Sequence, residues 1–206
     1  MAPCLEIMIA KPTEAFRKDP TLAYPIYEIC AETEGCLGIF YGFALEDPDV
    51  FMFAVPWASL AHHEALRADS ARYAQMAAHF ACVDVSTMHV AHVTLDAPLA
   101  PVLRAPCVSY VHVKSAAPGR TRAELERATA VVAEVEGVPG CTGGGWAKMY
   151  EREEYVLLHG WEDPKYHAEA AKLGWVQERV RKWREVVGEA TETVHIPLTA
   201  YKEWKA

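Results

Sequence analysis

Apolar positions along the chain follow two rhythms, and the order of those rhythms repeats. Stretches of strand character at residues 5–10, 37–45, 50–57 and about 86–95 are interleaved with helical stripes. The first stripe is Leu22, Ile26 and Ile29, where Pro20 and Pro25 restrict where a helix begins; the second is His62, Leu66, Tyr73, Met76 and Phe80. The same order returns with strands at 108–114, 142–150, 154–161 and 191–198. Thr121 and Glu124 have the spacing of a capping box, and Leu125, Ala128, Val132 and Val135 follow at helical spacing until Gly137. Asp163-Pro164 supplies an N-cap and a proline at the first helical position. Tyr166, Leu173, Val176, Val180, Trp183 and Val187 then mark one face of a long second helix. Polar residues at 46–49 and 151–153 predict hairpin turns.

Each half therefore reads strand, helix, strand, strand, helix, strand. Anchors keep nearly one offset: Trp57 and Trp161 lie 104 residues apart, each followed six residues on by His63 and His167. Gly35-Cys36 matches Gly140-Cys141, and His92 matches His195. A period of this size means two copies of a domain-sized unit, because solenoid repeats are much shorter. The expected fold class is α+β, with two ferredoxin-like βαββαβ halves fused in one chain. Their spans are 1–96 and 108–206, and the proline-rich segment 97–107 between them reads as a stiff extended linker. Residues 51–55 are apolar on both alternating faces, so both faces of that sheet need cover. The other half's sheet is the natural cover, which predicts an α+β barrel, a pseudo-dimer within one chain.

The net charge of -8 argues against nucleic acid and anionic membranes as partners. No signal segment and no long apolar run is visible, so a cytoplasmic location is expected, with a higher oligomer left open. The six cysteines show no CxxC pair and read as reduced thiols.

Candidate chemistry rests on nine histidines and the paired tryptophans. His159 lies two residues before Trp161, so both share one strand face. His62 and His63 point about 100° apart on a helix, so only one faces the sheet fully. His112 shares a strand face with Tyr110 and Lys114. Tyr73 lies on the inward stripe. His89 and His92 face opposite sides of a strand, and no metal-ligand spacing is visible, so no metal is expected. In the run Gly143-Gly144-Gly145, Gly144 and Gly145 stand where the first copy has Ile39 and Phe40, which predicts a bulge or bend or room for a ligand, lined by Trp146, His159, Trp161 and Tyr166.

The run from Gly35 to Gly42, with Trp57 and His62-His63, resembles the antibiotic biosynthesis monooxygenase type of dimeric α+β barrel. The resemblance covers residues 5–95 well and the second half through Gly140-Cys141 and Trp161. It implies that Trp57 and Trp161 line pockets between sheet and helices, and that His63 and His167 face them. The asparagine such monooxygenases carry four residues before the tryptophan is replaced by Phe53 and Leu157. The histidine that the haem-degrading branch carries ten residues after it is replaced by Arg67 and Ala171.

The resemblance implies a cofactor-independent tailoring enzyme for a hydrophobic aromatic or polyketide-like molecule, with monooxygenation in secondary metabolism as its chemistry. The alternatives are a histidine acid–base cyclase, isomerase or lactone-processing enzyme, and a non-catalytic small-molecule-binding or stress-response barrel. The catalytic candidates are His159, His63, His62, His167 and Tyr73; the substrate-binding candidates are Trp57, Trp161, Trp146, Tyr166, His112 and Gly144.

Overall fold

A computed structural model describes residues 3–204. The chain divides into two compact units. One takes the residues up to Thr94 together with the segment from Thr199, and the other spans Leu95–Leu198.

In the first unit β1 (Cys4–Pro12) leads through α1 (Glu14–Lys18), a 3-10 turn and α2 (Tyr24–Ala31) to the hairpin β2 (Ile39–Phe43) and β3 (Phe51–Trp57). Helices α3 (Leu60–Ala68) and α4 (Ser70–Ala77) follow, then β4 (Val83–Val93). The antiparallel sheet runs β2-β3-β1-β4, the ferredoxin-like order. β3 is buried along its whole length, as its unbroken apolar run requires.

The second unit opens with α5 (Leu99–Leu103), then β5 (Cys107–Ala116), α6 (Arg122–Ala133), β6 (Cys141–Lys148) and β7 (Tyr155–Trp161). It closes with α7 (Pro164–Ala170), α8 (Gly174–Arg184), β8 (Val187–Ala190) and β9 (Val194–Ile196). Its sheet runs β6-β7-β5, with β8 and β9 both pairing with β5. The capping box forms as expected at the start of α6: Thr121 Oγ1 accepts from Glu124 N, and the Glu124 carboxylate accepts from Thr121 N. The two halves are ferredoxin-like units fused in one chain.

Three expectations change. The long second helix is two helices in each copy. In the first, Asp69 ends α3 and its carboxylate accepts from Arg72 N to start α4, so one residue serves both ends. In the second, residues 171–173 part α7 from α8, and Val187 falls in β8 instead of on the helix. The segment expected to be an extended linker folds instead as α5, with Leu99, Val102 and Leu103 buried; Pro98 and Pro101 lie where a helix needs no amide donors. Finally, β10 (Thr199–Lys202) leaves the second half and pairs with β2, extending the first unit's sheet. Among the described residues, no helix is long and apolar enough to cross a membrane.

Candidate active site

The same four positions meet at the end of β3 and of β7, and one of the four differs in chemistry. In the first copy the Trp57 indole Nε1–H donates to Glu6 Oε2 at 2.8 Å. The His63 ring stacks on Trp57 with centroids 5.3 Å apart, and His63 Nε2 lies 3.5 Å from Glu6 Oε1. His63 Nδ1 and His92 Nε2 share a hydrogen bond of 2.6 Å. In the second copy Trp161 Nε1–H donates to Ser109 Oγ at 3.0 Å, His167 stacks on Trp161 at 4.9 Å, and His167 Nδ1 bonds His195 Nε2 at 2.7 Å. Strand register produces both arrangements: Glu6 sits opposite His92 as Ser109 sits opposite His195.

The carboxylate decides how full each site is. Glu6, Trp57, His63 and His92 are all buried, and the side-chain oxygens of Glu6 fill the space beside His63. Ser109 is shorter, and there the second unit holds a cavity of about 290 Å³. Ser109, His159, Trp161 and His167 lie on its wall with Val111, Leu157, Val135 and Val180. At its margin Arg179 pairs with Glu134 at 2.9 Å and lies over the Trp175 ring at 4.8 Å.

His159 contributes a neutral imidazole to this wall. It touches the cavity, yet burial drives its pKa down to about 4 against the weak support of one hydrogen bond at 3.3 Å to the Ala133 carbonyl. A carbonyl only accepts, so Nε2 carries the proton and Nδ1 keeps a lone pair. Burial also raises the Cys30, Cys36, Cys82 and Cys141 thiols, which removes them as thiolate nucleophiles.

No family model matches the sequence, and no curated protein matches it either. Solved structures do match. An anthrone oxidase-like protein aligns over 98% of this chain and 94% of its own at 13% identity, with a TM-score of 0.73. A provisionally assigned monooxygenase from Fusobacterium nucleatum aligns over 100% and 96% at 9% identity, with a TM-score of 0.72. The chain shares their fold. A provisionally assigned antibiotic biosynthesis monooxygenase from Bordetella bronchiseptica aligns over 45% of this chain and 95% of its own at 16% identity, with a TM-score of 0.39.

Of the residues expected to carry chemistry, His159, Trp161 and His167 meet at the cavity. Trp57 and His63 meet in the first copy, but in the filled network around Glu6. His62 does not face the sheet: its ring lies over Gly35, where an added Cβ would stand 2.3 Å from His62 Cγ, and its Nδ1 bonds Ser59 Oγ at 2.9 Å. Tyr166 lies over Gly140 in the same way, at 2.2 Å, and is not on the cavity wall. Both glycines have positive φ, 80° and 70°, so the backbone turn and the ring placement both require glycine.

His112 points to the other sheet face, because Ser109 and Val111 take the cavity side; its Nε2 bonds Glu154 Oε2 at 2.7 Å. Trp146 packs on Tyr155 at 5.8 Å, in the core and away from the cavity. Tyr73 packs edge-on to Phe80 in the first unit. Gly144 does not open space for a ligand directly. An added Cβ would stand 2.2 Å from His159 Cδ2, so the glycine makes room for the His159 ring, where the first copy packs Ile39 and Val55. The expected bulge is present as a register shift between Cys141 and Gly143.

Sequence reasoning missed Glu6, Ser109 and the partnership of His92 and His195. It also missed that Glu6, His63 and His92 bring their ligand atoms within 4.8 Å of one another, contrary to the expectation that no metal-ligand cluster exists. The repeat held the signal, since His92 and His195 are matched anchors.

Proposed function

We propose that the second half is the working half, and that it oxygenates a compact, electron-rich aromatic molecule without a bound cofactor. One observation carries this reading: the cavity lies beside a histidine pair at the place where the first copy holds the Glu6 carboxylate. In the tautomer where His167 Nδ1–H donates to His195 Nε2, His167 Nε2 keeps the lone pair that takes a proton. His195 then shares the positive charge. Trp161 offers a flat face, and neutral His159 offers a second acceptor, Nδ1, without adding charge.

The volume sits at the lower end of the roughly 300–1,000 Å³ of small-molecule sites, which suits one fused-ring molecule. The step consumes one O2 per substrate. Deprotonation at the ring carbon gives an anion that passes an electron to O2, and the pair recombines at that carbon. Loss of water leaves a carbonyl where two hydrogens were, so one oxygen atom is retained and the other leaves as water.

The test is oxygen uptake with anthrone as probe, the substrate class suggested by the anthrone oxidase-like neighbour, measured against the rate without protein. The expected result is one O2 consumed per quinone formed, abolished in His167→Gln. Formation of a ring-closed or isomerised product without oxygen uptake would transfer the site to acid–base cyclase or isomerase chemistry. Saturable binding without turnover across a hydroxyaromatic panel would make it a carrier.

A further inference from the structure

We infer that Glu6, His63 and His92 form a binding site for a divalent first-row transition metal in the first half, separate from the second-half cavity. Two imidazoles and one carboxylate, all buried, bring one ligand atom each to within 4.8 Å of one another. That donor set is the one that zinc and non-haem iron take, leaving an open position for water or another small ligand.

Two further features fit an ion. The Glu6 carboxylate is oriented from outside the set by the Trp57 indole N–H at 2.8 Å, the outer-shell support that metal-bound carboxylates need. The short contact between His63 Nδ1 and His92 Nε2, 2.6 Å, already holds one proton between two lone pairs. A metal ion takes that proton's place and releases it, so uptake weakens as pH falls. Ligands at 2.0–2.1 Å in a tetrahedron stand about 3.3 Å apart, so the two imidazole nitrogens, 2.6 Å apart, must open to admit the ion.

The second copy is a built-in control. It repeats the histidine pair at 2.7 Å but has Ser109 in place of the carboxylate. The counterpart of the Glu6 site in the second copy is therefore expected to take no ion.

The experiment adds Co2+ to the full, metal-stripped chain and follows the visible ligand-field band and the bound stoichiometry. The expected result is Co2+ uptake with a band typical of nitrogen and oxygen ligands, competed away by Zn2+, with one equivalent lost in Glu6→Gln. Ser109→Glu supplies the missing carboxylate in the second copy and raises the count by one. No uptake by the wild-type chain, or uptake unchanged in Glu6→Gln, overturns the inference. Should Glu6→Gln fail to fold, Ser109→Glu decides: one added equivalent supports the site and no added equivalent opposes it. The readout is binding, so it stands or falls independently of oxygenation by the second half.

Discussion

Glu6 and Ser109 occupy one position in two copies of the same frame. Each accepts a hydrogen bond from the indole of a strand-end tryptophan, and each lies across the sheet from a histidine paired to a second histidine. The difference of a few atoms separates a filled network from a cavity. Ser109→Glu should therefore close the second site, lowering affinity for any cavity ligand at least tenfold, about 1.4 kcal/mol or more. Isothermal titration with a fluorescent hydroxyaromatic checks it, and unchanged affinity would show that the ligand binds elsewhere.

The two tryptophans should differ in what their N–H is worth. Trp57→Phe leaves a buried carboxylate short of a donor, whereas Trp161→Phe leaves only a serine hydroxyl. Both lose similar packing, so Trp57→Phe should destabilise by about 2 kcal/mol more. Paired denaturant titrations read the difference; equal losses would mean that the Glu6 bond contributes nothing special.

His159 sets a pH window. Its folded pKa, about 4, lies below the ordinary 6.5, so the unfolded chain binds the proton first as pH falls. Its contribution is complete above pH 6.5 and drains away towards pH 4, by as much as roughly 3 kcal/mol. Replacing His159 by Leu should flatten that part of the stability profile, even if it shifts the plateau. A profile of identical slope would rule out His159 as its source.

Gly140→Ala should be among the most damaging small substitutions, because the new methyl meets the Tyr166 ring and the backbone is in the left-handed region. A loss of about 2–5 kcal/mol is expected, with the steric part recovered when Tyr166→Ala is added. A double variant no more stable than Gly140→Ala would place the whole effect in the backbone.

The duplication, the strand order and the tryptophan–histidine spacing were legible because each rests on local periodicity or on matching anchors. What was not legible depended on register. Glu6 is one of many acidic residues until strand pairing sets it beside Trp57 and His92. The choice between His62 and His63 was open because a helix turns them 100° apart; Gly35, whose missing Cβ leaves room for the His62 ring, and the stacking of His63 on Trp57 settle it. The glycine run is compatible with either a bulge or ligand space, and only the neighbouring strand's His159 shows what occupies the volume at Gly144. The break at Asp69 was hidden because an aspartate within a continuous apolar stripe looks like a solvent-facing helix residue.

β10 gives the first unit a late appointment in synthesis. Its partner β2 leaves the ribosome early, but the strand that covers β2's edge is translated only after the whole second unit, Leu95–Leu198. At ordinary elongation rates that interval is roughly 5 to 20 s. Through it a nascent chain carries an unpaired β2 edge, with Phe40 and Tyr41 on it, and this is the moment at which the protein is most exposed to misassembly with its neighbours on the same message.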